Sequence, residues 1–571
     1  MLETTQQIEK LIEQGRYFEA RSKAEYALLQ SQDLRLKQLF ALALSKSGAP
    51  EAALEFMMPV YVQFHEDTES AGIMGSICKE LFKKTQTASF AIQSRDTYLK
   101  NFTATKNYYT GINAASMSAM AGQLGKGREI AAEVISILEG KPMDFWTLAT
   151  LGEAHMFVKN KPKSVEYYVQ ARKNAHKDWG KITSIYNQLW LLNHFLPVPN
   201  DIIKLFSPPR VGAFVGHMID HPHRSEPRFP PSMEQKIKEM IVHSIRSLNL
   251  QIGYCSLACG GDILFAEAMA EEGGEVNIFL PFEKSDFVKT SVQFAGADWV
   301  NRFNVLLDKF PVTTISTEPY GGFDDMFPFQ TKVIFGAAAM RSESYHDEPT
   351  LLTVLSEVDL QRKEGGTRDT ISLWPFPKRY VNINPDIFST DNAVHAPQAE
   401  LSQPIERATV DRPVLYLAYA DLSEVSAKER AKIIHYKKED IDQTDQILLD
   451  EQDNATLLAA FTTPSAAIEF VRFVVNSIKP LYHVLSYKIC LHAGPTYIQP
   501  AEKNGGKKLS GKTVQYVREM SKLTTKGSLF ASDHFAALLT LNGNMFSIEY
   551  SGIFNLPDSQ QKRSVYRVSF N

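Results

Sequence analysis

The chain has 571 residues, more than one hydrophobic core supports, so about three or four domains of ordinary size are expected. With 61 basic against 65 acidic residues the net charge is −4, which leaves no electrostatic footprint of a nucleic-acid binder. No stretch approaches the ~18 consecutive apolar residues of a membrane span, the opening MLETTQQIEKLIEQ is polar rather than a basic apolar leader, and the scattered Cys78, Cys255, Cys259 and Cys490 suit reduced, buried thiols. A cytoplasmic protein with no nucleic-acid and no membrane partner is predicted.

From Thr4 to about Phe195 apolar residues recur at helical spacing, with glycine or polar pairs between the runs. Gly15-Arg16-Tyr17 followed by Ala20 and Ala24 recurs as Gly48-Ala49-Pro50 followed by Ala52 and Ala53, close to the roughly 34-residue tetratricopeptide period. A third unit spans Thr147 to Lys173, where Ala149, Gly152 and Ala154 permit close helix approach and Tyr167, Tyr168 and Ala171 pack behind. Residues 1–195 are therefore predicted to form a solenoid of helix pairs that offers a surface to a protein partner. Between the units, Tyr108, Tyr109, Gly111, Asn113 and Ala114 resemble the YYxGINAA motif of the TRAF-binding-type helical region, found beside certain eukaryotic stress kinases and in bacterial signalling proteins. Asn113 reads either as a ligand contact or as a buried polar clamp between helices.

Prolines in LPVPNDIIKLFSPPR predict a linker over 196–209. Beyond it, RVGAFVGHMID forms a strand ending at Gly216-His217, a loop HPHRSEPRFPPS follows, and a helix runs from about Met233 to Leu248. A second strand then passes through Gly260-Gly261-Asp262 into a helix, and EVNIFLPF completes a β-α-β-α-β run. Such alternation predicts a Rossmann-like, doubly wound parallel sheet over 210–388. Glycines at a strand-to-helix turn let backbone amides approach an anion, so Gly260, Gly261 and Asp262 are candidates for holding a nucleotide. The segment SLACGGDILFAEAMAEEGGEVNIFLPF resembles the SLOG superfamily, whose domains bind nucleotides or nucleotide-derived ligands and in some members cleave N-glycosidic bonds. That resemblance adds Gly216, His217 and Asp220 after the first strand, and Gly365, Gly366 and Thr367 as a phosphate-holding loop.

Asp262 or Glu267 would serve glycosidic cleavage, against the plainer reading of a helix-capping Asp262 and an ion-paired Glu267. His217, His221 and His223 with Asp220 invite a metal, as do Cys255 and Cys259; the simpler use of that loop is to bring Arg224 and Arg228 to an anionic ligand. A polar, proline-punctuated connector is predicted over 389–412.

In the final segment, 413–571, VLYLAYADLSEVS from Val414 to Ser426 resembles the first strand of class III adenylate/guanylate cyclases. Asp421 then matches the first metal-binding carboxylate. KICLHAGPTYIQPAEKNGGKKLSGKTVQYVREMSKLTTKGSLFAS from Lys488 resembles the second half of the same domain, with Gly511, Val514, Gly527, Ser528 and Ser532 matching. The resemblance implies a ferredoxin-like α/β fold and a homodimer, because such cyclases build their active sites at a dimer interface.

The chain departs from the family at the catalytic positions. NATLLAAF, aligned on Phe461, places Asn454 at a family glycine and Ala455 at the second metal-binding aspartate; Asp453 would replace it only after a register slip or a bulge. Gln515 replaces the ribose-fixing asparagine and Glu519 the phosphate-neutralising arginine, with Arg518 one position away. Two cations need two carboxylates, so Mg²⁺ or Mn²⁺ is expected as a cofactor only if Asp421, Gln515 and Arg518 sustain an altered cyclase reaction. The reading is a multidomain α plus α/β signalling protein that senses a nucleotide-like ligand, with an inactive cyclase-like domain. The alternatives are an active nucleotidyl cyclase and a nucleotide or NAD N-glycosidase.

Overall fold

Short polar side chains fix where the helices of the first segment start. Asp33, Asp67, Asn107, Asp144, Asn160 and Asp178 each accept a backbone N–H of the first helical turn. In the computed structural model, described over residues 2–570 apart from 177, 222–223, 225–226, 323–324, 358–370, 389–412, 432, 434–445, 454, 479–486, 501–506, 544–545 and 556–561, the chain divides into two compact units. One is Met1–Pro208 with Tyr550–Phe554; the other is Pro209–Glu549 with Asn555–Asn571. No helix among the described residues is long and apolar enough to cross a membrane.

The first unit is a tetratricopeptide-like array of α1 (Leu2–Glu13), α2 (Tyr17–Leu28), α3 (Leu34–Lys46), α4 (Pro50–Gln63), α5 (Thr68–Thr85), α6 (Ala88–Thr105), α7 (Tyr108–Met120), α8 (Leu124–Leu138), α9 (Phe145–Phe157) and α10 (Lys161–Ala175), followed by α11 (Trp179–Leu192) and α12 (Asn200–Leu205). From α1 to α9 the odd helices pack side by side, and each even helix lies behind, between its neighbours in sequence. Gly111 permits one close approach: a Cβ there would come within 2.6 Å of Val134 and 2.7 Å of Phe102. Asn113 is not a clamp between helices, because its Nδ2 donates to Tyr109 O of its own helix at 2.9 Å.

The linker expected over 196–209 is also corrected in part. Pro197 and Pro199 precede α12, Pro208 and Pro209 follow it, and Leu196, Val198, Ile202 and Phe206 are buried in the helical core.

The central sheet has the parallel order β4-β3-β2-β1-β5-β6, formed by β1 (Arg210–Gly216), β2 (Leu250–Cys255), β3 (Glu275–Leu280), β4 (Val312–Thr314), β5 (Thr350–Val354) and β6 (Tyr380–Ile383). Its inner strands β1, β2 and β5 are largely buried, as a sheet covered on both faces requires. The connections through α13 (Glu234–Leu248), α14 (Gly261–Glu271), α15 (Lys284–Ser291) and α16 (Ala297–Lys309) run in one direction along the sheet. α17 (Met326–Glu343) returns the chain past β1, and right-handed crossover therefore puts it on the opposite face.

The last sheet runs β14-β15-β13-β10-β7-β9-β8. Its strands are β7 (Val414–Asp421), β8 (Gln446–Asp453), β9 (Thr456–Phe461), β10 (Lys488–Pro495), β13 (Ser528–Ser532), β14 (Phe546–Asn555) and β15 (Lys562–Phe570), with β11 (Tyr497–Pro500) and β12 (Lys507–Ser510) as a separate hairpin. α18 (Pro464–Ile478), α19 (Lys512–Leu523) and α20 (Asp533–Thr540) pack against it.

The central and last sheets share one unit through direct contacts. α17 and α20 meet so closely that a Cβ on Gly336 would lie 2.0 Å from the Ala537 carbonyl oxygen. Arg563 donates to the carbonyls of Thr314 and, at 3.4 Å, Ile315. Glu318 accepts the Lys512 backbone N–H at 3.0 Å, and Lys512 Nζ reaches Thr317 O at 3.0 Å.

Behind Arg563, His534 and His492 stack with ring centroids 5.7 Å apart, and Tyr516 stacks on His492 at 4.1 Å. Arg563 Nη1 donates to His534 Nε2 at 2.9 Å, which requires that nitrogen to be unprotonated. Burial first, then the neighbouring imidazole for His492 and the guanidinium for His534, hold both histidines well below their ordinary pKa. A depressed folded-state pKa contributes stability that is complete above the unfolded value, about 6.5, and is lost as pH falls below it toward the folded value. Each histidine is expected to withdraw at most about 1.4 kcal/mol per pH unit in that window. Urea denaturation from pH 7 to 5 checks this: a His492→Phe, His534→Gln variant should show a flatter profile than the parent.

Candidate functional site

Strand order reverses at β1, whose neighbours β2 and β5 carry the chain away in opposite directions. In an open parallel sheet the crevice at such a reversal, beyond the carboxyl ends of the strands, is where ligands enter. Gly216, His217, Gly260, Gly261 and Asp262 all lie there. Gly260 has φ +101°, and a Cβ on it would come within 2.5 Å of Ile219 N and 2.8 Å of His217 O. Only glycine allows that approach.

The turn's amides are spent inside the protein. Gly261 N–H donates to His217 O at 2.9 Å, Ile219 N–H to Cys259 O at 3.1 Å, and Ile263 N–H to Ala258 O at 3.3 Å. The expected anion cradle is thus partly filled by main-chain carbonyls, which strap the loop after β1 onto the loop after β2. His217 completes the strap, with its N–H on Val354 O at 3.0 Å and its Nε2 accepting Ser356 N–H at 3.1 Å.

Asp220 accepts the N–H groups of Arg228 and Phe229, each at 2.8 Å, and Arg224 Nε lies 3.5 Å from it. His221 stacks on Phe294 at 5.4 Å. The histidines and Asp220 therefore face different partners. Among the described residues no group of three His, Cys, Asp or Glu side chains could hold a metal. His223, Gly365, Gly366 and Thr367 lie outside the described residues. Cys255 and Cys259 are free and buried, and burial pushes both thiols up, Cys259 to about 12.

Asp262, 7% exposed, is the chemically distinct group of the crevice. Its carboxyl accepts Ala258 N–H at 3.2 Å and the Ser256 hydroxyl, yet burial outweighs both and pushes its pKa up to about 7. Gln330 of α17 extends the chain, with Nε2 donating to Ser256 Oγ at 2.8 Å and to Phe279 O at 2.5 Å. Ser256 and Gln330 were missed by sequence reasoning. Ser256 had a local signal, the end of β2 just before the glycines; Gln330 had none, lying in a helix 74 residues further on.

Glu267 points elsewhere. It is held bidentately by Arg302 at 2.7 and 2.8 Å, with Lys238 at 3.4 Å, and Arg302 also pairs with Glu234 at 2.7 Å while lying over the Trp299 ring. That network ties α13, α14 and α16 together, so the ion-paired reading of Glu267 replaces the catalytic one.

In the last sheet, backbone partners run Lys488, Asp421, Thr456, Asp453 across β10, β7, β9 and β8. Lys488 Nζ lies 3.6 Å from the Asp421 carboxylate, whose other oxygen accepts Ser423 N–H at 3.0 Å. Ala455 is the neighbour on the hairpin, its carbonyl accepting Leu422 N–H at 2.8 Å. A register irregularity falls between Glu451 and Asp453. Even so, the Asp453 backbone is two strands, about 9–10 Å, from that of Asp421, with Thr456 between. On α19, which lies over β7 and β10, Gln515 is exposed, Arg518 is half-buried, and Glu519 is engaged by Lys522 at 2.6 Å.

A family described as Tetratricopeptide Repeats-Sensor matches residues 16–118. No curated protein sequence matches the chain. Among solved structures, the adenylyl cyclase CyaB from P. aeruginosa is similar at 11% identity over 28% of this chain and 96% of that one, with a TM-score of 0.25. The guanylyl cyclase Cya2 is similar at 17% identity over 28% and 94%, TM-score 0.23. A thermophilic tetratricopeptide-repeat protein from Thermus thermophilus is similar at 16% identity over 33% and 98%, TM-score 0.28.

Proposed function

We propose that this is a regulatory signalling protein, homodimeric and free of any metal requirement, whose central SLOG-like sheet senses a nucleotide or nucleotide-derived ligand. Its cyclase-like domain binds or assembles without forming cyclic nucleotides. The observation that carries the second half is the Lys488 ammonium 3.6 Å from Asp421, with Ala455 on the neighbouring turn. The carboxylate that would bind a catalytic cation is neutralised by the protein's own cation. For the ligand site, support comes from the crevice at the reversal of strand order and from Asp262 within it.

The test is product analysis by mass spectrometry after incubation with Mg²⁺ or Mn²⁺ and each of the four nucleoside triphosphates or NAD, with melting curves on the same samples. The expected result is no cyclic product, together with a raised melting temperature for at least one nucleotide that Asp421→Ala leaves unchanged. A cyclic product abolished by Asp421→Ala overturns this reading.

One observation favours a second reading, N-glycosidic cleavage in the central domain. A carboxyl with a pKa of about 7 is matched to donating a proton to a departing base near neutral pH. Release of free base, lost in Asp262→Asn and kept in Asp421→Ala, would decide for it.

A further inference from the structure

Gln330 is a polar side chain in an apolar stretch of helix. Its neighbours on α17, Phe329, Val333 and Ile334, are buried, and Gln330 itself is 3% exposed, so its amide must find partners inside the protein. It finds them at the carboxyl ends of two strands. The carbonyl of Phe279, near the end of β3, offers only lone pairs, so the atom 2.5 Å from it is the amide nitrogen; the same nitrogen lies 2.8 Å from Ser256 Oγ, just past β2.

That assignment fixes the direction of the next bond. Ser256 Oγ receives an amide hydrogen, which leaves its own single hydrogen for the Asp262 carboxyl. Hydrogens therefore run one way, from Gln330 on one face of the sheet, through Ser256, to Asp262 of α14 on the other. Ala258 N–H, at 3.2 Å, is the second donor to that carboxyl.

Little else bears on the acid. Cys255 and Cys259 face it as thiols that burial keeps neutral, His217 meets this turn through its carbonyl on Gly261 N–H, and among the described residues no charged side chain pairs with Asp262. Two hydrogen bonds are thus all that hold its carboxylate form against burial.

We propose that Gln330 is the positioning residue of this acid: by holding Ser256 as a donor it sets the balance between the acid and carboxylate forms of Asp262, and with it what the crevice selects, given that the crevice is the ligand site. A carboxylate takes a hydroxyl or amine hydrogen from a nucleoside, whereas the acid offers its own hydrogen to an acceptor. With the relay intact both forms are present near pH 7. Without the amide the Ser256 hydroxyl is free to turn away, the carboxylate loses a donor, and the acid form prevails.

The experiment labels the full chain with aspartate carrying carbon-13 at the side-chain carboxyl and follows by NMR, from pH 5 to 9, the signal that Asp262→Asn removes. It needs no ligand, so a failure to bind nucleotide strikes the reading of the crevice and leaves the titration standing. In Gln330→Met, which keeps the side chain's length and lacks the amide, the midpoint is expected about half to one pH unit higher, a gain in proton affinity of about threefold to tenfold. Ser256→Ala should raise it by a similar amount, and Gln330→Met added to Ser256→Ala should raise it no further, because the amide acts only through the hydroxyl. If circular dichroism shows Gln330→Met unfolded, Gln330→Asn, whose amide is withdrawn by one methylene from Ser256, takes its place. A midpoint unmoved in a folded variant, or one that moves as far in the Ser256→Ala background as in the parent, overturns the proposal, since an amide that merely ties β2 to β3 would give either.

Discussion

Replacing Asp262 by asparagine is expected to make the protein more stable at pH 8 and to leave it unchanged near pH 4. Burial raises the carboxyl from 3.8 to about 7 in the folded state. A raised pKa means that the stability associated with the protonated group is fully present below the unfolded value and is lost as pH rises through the folded one. Three pKa units correspond to about 4 kcal/mol withdrawn by pH 8. Asparagine keeps an acceptor for Ala258 N–H and Ser256 while never ionising, so it escapes that cost. Urea denaturation at pH 4.5 and 8 measures the difference; equal gaps at the two pH values would mean that the carboxylate is solvated in the folded protein. Stability given up at one buried position is the usual mark of a group kept for binding or chemistry.

The opposite sign is expected at Gly336. A leucine there would drive its Cβ to within 2.0 Å of the Ala537 carbonyl oxygen, and neither backbone can retreat without parting α17 from α20. A loss of about 3 kcal/mol or more is expected, at the top of the overpacking range, because the obstacle is main chain rather than a movable side chain. Gly125, whose added Cβ would meet nothing within 4 Å, is the control: Gly125→Ala should stabilise slightly, by up to about 1 kcal/mol. Guanidinium denaturation of the three proteins checks both. A Gly336→Leu variant as stable as its parent would mean that the helices separate freely.

Local features of the sequence were enough to read the two architectures. The helical period and the glycine or polar pairs between the runs announced the array, and strands alternating with helices announced a parallel sheet. The features that decide function depend on register and on distant partners. Lys488 faces Asp421 only because β10 pairs antiparallel to β7 in one register, and neither residue signals the other along the chain. Glu267 resembled an acid beside a ligand until Arg302, 35 residues away, was seen to hold it. The prolines before Asn200 read as a break, whereas Pro199 occupies the cap position of α12 and Phe206 anchors the segment in the core. Asn113 looked buried because its neighbours are small, and its position on the helix left it half exposed.

The stretch Thr314–Glu318 has a mechanical consequence. It leaves β4 at the outer edge of the parallel sheet, and the amides of Ile315 and Ser316 fasten it to the carbonyls of Leu280 and Pro281. Within the same five residues it meets Arg563 through two carbonyls and α19 through a carboxylate. At no more than about 3.6 Å per residue, so short a ribbon cannot shift at one end and stay put at the other. It acts as a strut rather than a hinge. The rim of the parallel sheet, β15 and the start of α19 are therefore fastened together within the same five residues.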